Sequence, residues 1–83
     1  MRPDDRNVAK AFGRLLRELR ANADLTQEEL ADGANIERTY VSFLERGLRQ
    51  PSIRVLIALS KALRVPAHEI VRELEGRVSS GTK

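Results

Sequence analysis

The chain has no cysteine and no tryptophan, and only one histidine, one tyrosine and two phenylalanines in 83 residues. Without cysteine there is neither a disulfide framework nor a thiolate metal site, and a lone His68 cannot assemble a metal cluster. Strand signals are equally sparse, with few aromatics, few alternating runs and no Asn-Gly or Asp-Gly between alternating hydrophobes. Apolar runs are short, as in Val55 to Leu59, and no basic-then-apolar leader opens the chain, so neither a membrane span nor a signal peptide is expected. Catalytic signatures are missing too: there is no phosphate loop, no nucleophile elbow and no metal-ligand spacing. Glu28 and Glu29 are neighbours and so point about 100 degrees apart on a helix, which suits a helix cap and not a carboxylate dyad. The expectation is a soluble, cytoplasmic protein that is no enzyme and carries no metal, cofactor or small-molecule ligand.

A chain of this length encloses one hydrophobic core, expected over residues 1–76, with 77–83 as a flexible C-terminal tail. At 41% hydrophobic and 33% charged residues, it is too apolar to be wholly disordered. The formal charge of +3 says little, but its distribution says more. Asp24, Glu28, Glu29, Asp32 and Glu37 form an acidic stretch, whereas Arg38 to Arg64 carries six basic residues against the single acid Glu45. Twelve of the fifteen bases are arginine, whose planar fork suits bidentate contact with phosphate or guanine.

Five helices follow from periodicity and caps. Val8, Phe12, Leu15, Leu16 and Leu19 form one stripe, giving a first helix from about Asn7 to Ala23. Thr26-Gln27-Glu28-Glu29 is a capping box, flanked by the Leu25 and Leu30 hydrophobic staple, and it opens a short second helix ending near Asn35. Val41 and Leu44 point inward from a third helix that Gly47 closes. Ser52 caps a fourth helix bearing Ile53, Leu56, Ile57, Ser60 and Leu63, and a fifth begins near Pro66 and stops at Gly76.

In order and spacing, Leu19-Arg20, Leu25 to Ala31, Asn35-Ile36, Arg38 to Ser42, Leu44 to Gly47, Pro51-Ser52 and Leu56 to Leu63 resemble the regulators of the phage repressor and Cro type, the Xre family. Glu37 to Ser42 is also similar to the controller proteins of restriction-modification systems. The resemblance implies an all-α, five-helix, lambda repressor-like domain whose second and third helices form a helix-turn-helix. Its implied function is sequence-specific binding of double-stranded DNA in transcription regulation, with the Arg38 to Gly47 helix in the major groove. Asn35 stands at the family's usual turn glycine, and Glu37 at a position where Ser or Thr commonly caps the recognition helix.

On the third helix Arg38, Thr39, Ser42, Phe43 and Arg46 share the side opposite Val41 and Leu44. Arg38 is expected to donate to guanine, Thr39 and Ser42 to offer hydroxyls, and Phe43 either to touch a thymine methyl or to be a core residue. Gln27 matches the family position that binds a backbone phosphate, with Arg46, Arg49 and Arg54 as further phosphate partners. Arg20 and Glu45 match a family ion pair that braces the first helix against the third. The resemblance also implies a homodimer on a palindromic operator, for which Leu59, Leu63, Val65, Ile70, Val71 and Leu74 are the candidate contacts. The competing reading is a protein-interaction module, such as an antitoxin or adaptor, on the same fold.

Overall fold

The backbone follows the caps written in the sequence. The computed structural model describes residues 3–81, with side chains over 7–79. Within them it holds α1 (Pro3–Asn22), α2 (Gln27–Ala34), α3 (Arg38–Glu45), α4 (Ile53–Leu63) and α5 (Ala67–Gly81), and no strand. At the start of α2, the Thr26 hydroxyl accepts from the Glu29 N–H at 3.0 Å, while the Thr26 N–H donates to the Glu29 carboxylate at 2.9 Å. The box satisfies donors that a helix start otherwise leaves open. Ser52 does the same for α4 by accepting from the Val55 N–H at 3.1 Å. Glu37 makes no side-chain cap at α3, so that helix start depends on tertiary contacts.

Each of the first four helices ends in one way. A residue with positive φ follows the helix: Asp24 (58°), Asn35 (56°), Gly47 (74°) and Arg64 (60°). The next residue then donates its N–H five residues back: Leu25 to Arg20, Ile36 to Ala31, Leu48 to Phe43 and Val65 to Ser60, at 2.9–3.1 Å. This closure pairs carbonyls that the helix end leaves open and turns the chain sharply. It confines the link between α2 and α3 to residues 35–37, which fixes the two helices in the bihelical unit.

α1 packs on α3 and α5, while α2 packs on α3 and α4. Their shared core is built from Phe12, Leu15, Leu16, Leu30, Val41, Leu44, Leu59, Leu63 and Ile70, all at most 5% exposed. Burying each such aliphatic side chain contributes about 1.5–3 kcal/mol. Leu59, Leu63 and Ile70 are therefore not subunit contacts as expected, because α4 and α5 turn them into the chain's own core. Val65 and Leu74 are half-buried against that core, and Val71 is exposed.

The helix ends also differ from expectation. α1 begins at Pro3 instead of near Asn7, and α5 runs to Gly81 instead of stopping at Gly76. A side chain at position 76 would point into open space, so no tertiary contact there demands a glycine or a helix stop. It continues because Arg77 anchors the next turn, donating to both carboxylate oxygens of Glu18 in α1 at 3.1 and 2.7 Å and to Glu73 at 3.0 Å. Residues 1, 2, 82 and 83 of the two expected segments lie outside the described residues. No helix among the described residues is long and apolar enough to cross a membrane.

Candidate nucleic-acid interface

Val41 and Leu44 are fully buried and lock α3 into the core by one side. The opposite side is thereby turned outward, with Arg38, Thr39 and Arg46 exposed and Ser42 and Phe43 half-buried. Arg49 follows in the loop after α3 and Arg54 in the first turn of α4, both exposed. The structure thus gathers Arg38, Thr39, Ser42, Phe43 and Arg46 on one helix surface.

Behind that surface lies a hydrogen-bonded chain of side chains. Arg20 Nε donates to Glu45 Oε2 at 2.6 Å and Arg20 Nη2 to Glu45 Oε1 at 3.1 Å. Arg20 Nη1 donates to the Leu25 carbonyl at 2.9 Å, tying the pair to the turn before α2. The Glu45 side chain is only 3% exposed and that of Arg20 17%, so the ions hold each other largely away from water. The bonds to Glu45 raise the Arg20 pKa above its ordinary value, against the opposing effect of burial. Gln27 Nε2 donates to Glu45 Oε1 at 3.0 Å, and Gln27 Oε1 accepts from Arg38 Nη1 at 3.3 Å. The amide of Gln27 therefore bridges the buried pair to the first residue of the outward surface.

Two features here were not expected from the sequence. The Phe43 ring is covered by cations, with the guanidinium carbons of Arg46 and Arg49 at 5.7 and 5.6 Å from its centroid. Exposed Lys10 of α1 lies directly against Gly47, its Cα and Cγ about where a side chain on Gly47 would go, which packs the first helix against the turn that ends α3. Its position on α1 carries no local sign of this, since the contact joins residues far apart in sequence. Among the described residues, no group of His, Cys, Asp or Glu is placed to hold a metal ion.

Comparison with known proteins gives this arrangement a context. The family described as Helix-turn-helix matches residues 16–70. The HTH-type transcriptional regulator Rv0474 of Mycobacterium tuberculosis (strain H37Rv) is 42% identical over 55 residues, covering 66% of this chain and 39% of that protein. The chain thus spans well under half the length of that relative. The crystal structure of the restriction-modification controller protein C.AhdI from Aeromonas hydrophila superimposes with a TM-score of 0.73 at 39% identity, covering 75% of this chain and 94% of that one. The controller protein C.Esp1396I, crystallised as a tetramer with its natural 35 base-pair operator, matches with a TM-score of 0.76 at 28% identity. That match covers 86% of this chain and 93% of the controller chain.

Proposed function

Because the chain belongs to the helix-turn-helix family, we propose that it is a sequence-specific double-stranded DNA-binding regulator of transcription that lays α3 in the major groove as a cytoplasmic homodimer. One observation carries the reading: α3 is anchored by Val41 and Leu44 while Arg38, Thr39 and Ser42 stand on its free side, backed by a buried ion pair. A rigid helix with donors at its N-terminal turn is what reading base edges requires. Arg38 donates to guanine, and Thr39 and Ser42 bond to neighbouring bases. Arg46, Arg49 and Arg54 meet phosphates, as do the open N–H groups at the start of α2 beside Gln27.

The homodimer is supported by exposed Ile53 and Ile57, one turn apart on α4, and by exposed Leu48 and Val71. Half-sites about 34 Å apart are comparable with the 36 Å long dimension of the chain, so two copies can occupy them without overlap. Selection of duplexes from a random pool, followed by footprinting, tests the function. The expected result is a palindromic site with two protected half-sites and an affinity that falls steeply with salt. Recovery of no preferred duplex, with no binding even in dilute buffer, would reject it.

A further inference from the structure

Two guanidinium groups share the ring of Phe43, at 5.7 Å for Arg46 and 5.6 Å for Arg49. Both distances lie within the range in which the negative face of an aromatic ring attracts a cation. The backbone creates the arrangement. Gly47, at φ 74°, reverses the chain, and the Leu48 N–H returns to the Phe43 carbonyl at 2.9 Å, which carries Arg49 back beside a residue six positions earlier. The two cations repel each other, and among the described residues no carboxylate pairs with either. The attraction of a cation to the ring is electrostatic and consumes no N–H donor. With no carboxylate of the described residues on them, both guanidinium groups keep N–H donors for the fork contacts that phosphate accepts.

We propose that Phe43 acts in DNA binding through Arg46 and Arg49: its ring holds both guanidinium groups ready for two backbone phosphates and reads no base. This rests on the DNA-binding reading and gives Phe43 a positioning role in place of a thymine-methyl contact. A ring already covered by cations is not a bare apolar surface. Arginines that have lost rotamer freedom before contact lose less of it on binding, so the ring raises affinity by preorganisation.

The test titrates the selected duplex with wild type, Phe43→Leu and Phe43→Tyr over a range of salt, with thermal melts to verify the fold. Each phosphate contact steepens the slope of log affinity against log salt by about 0.9. Phe43→Leu is expected to lower affinity about tenfold and to flatten the slope by one to two such contacts, with base preference unchanged. Phe43→Tyr keeps the ring and should retain both affinity and slope. A Phe43→Leu protein that loses discrimination at one base pair while keeping the slope would overturn the proposal, as would one unchanged in every respect.

Proton NMR of the free protein reads the stacking without DNA. Ring-current shifts on the Arg46 and Arg49 side-chain protons are expected in wild type and Phe43→Tyr and absent in Phe43→Leu. Wild type that binds duplex without those shifts would overturn this inference alone. Wild type that shows the shifts yet binds no duplex would overturn the DNA-binding reading and the inference with it.

Discussion

Gly13 of α1 lies flat against the backbone of Glu45 in α3: a Cβ added to Gly13 would stand 2.5 Å from the Glu45 carbonyl oxygen and equally close to that of Leu44. Both obstacles are backbone, so no side chain can swing aside to make room. The close approach also sets the reach of the Arg20 and Glu45 side chains, which span the same two helices.

Gly13→Ala should therefore destabilise the fold by about 1–3 kcal/mol, as overpacking does. Helix propensity alone argues the reverse, since alanine in an exposed helix interior gains about 1 kcal/mol over glycine. Urea unfolding of the variant decides between them, and an equal or higher midpoint would show that α1 and α3 can separate freely.

Arg20→Ala leaves Glu45 buried with only Gln27 still donating to its carboxylate. The expected loss is about 3–5 kcal/mol, because an uncompensated buried charge costs far more than an exposed pair contributes. Replacing both partners by methionine should recover much of it, since apolar groups of similar size need no partner. A melting temperature unchanged by Arg20→Ala would refute the buried pairing.

How much of this was legible depended on whether the chemistry was local. The Thr26 and Glu29 box, the Ser52 cap, and Asn35 and Gly47 as left-handed residues could be read because each cap draws on groups only a few residues away. Gly13 gave no sign, since its constraint comes from carbonyls more than thirty residues later. The extension of α5 past Gly76 was hidden for the same reason, as Arg77 takes hold of Glu18 in another helix. Periodicity marked Leu59, Leu63 and Ile70 as apolar but could not tell core from subunit contact, because both faces want the same side chains. The outward surface of α3 was legible in its residue set, whereas the cations over Phe43 depend on a turn that only the folded chain makes.

Arg64 holds φ 60° after α4, a conformation that disfavours any residue with a Cβ. Its neighbour Val65 completes the closure by bonding to the Ser60 carbonyl at 3.0 Å, so the geometry is kept despite the strain. Arg64→Gly should stabilise the protein by about 0.5–1 kcal/mol, the relief of strain exceeding the entropy that glycine adds to the unfolded chain. A lowered melting temperature would mean that the Arg64 side chain stabilises the fold by more than its backbone costs.

Arg77 holds the Glu18 carboxyl below its ordinary pKa, chiefly by the hydrogen bonds it donates. A group whose pKa is depressed on folding stabilises the fold above its ordinary value, and that contribution disappears as pH falls through the lowered one. The melting temperature should thus decline from about pH 5 toward pH 3, with Glu18 supplying part of the decline. Since Glu18 is exposed, its share is small and is expected to shrink further in high salt. Glu18→Gln should flatten the acid limb and lower the neutral plateau slightly. If the variant instead traces the wild-type curve at every pH, the bond between α5 and α1 contributes nothing, and the final turns of α5 must be held by their own helix alone.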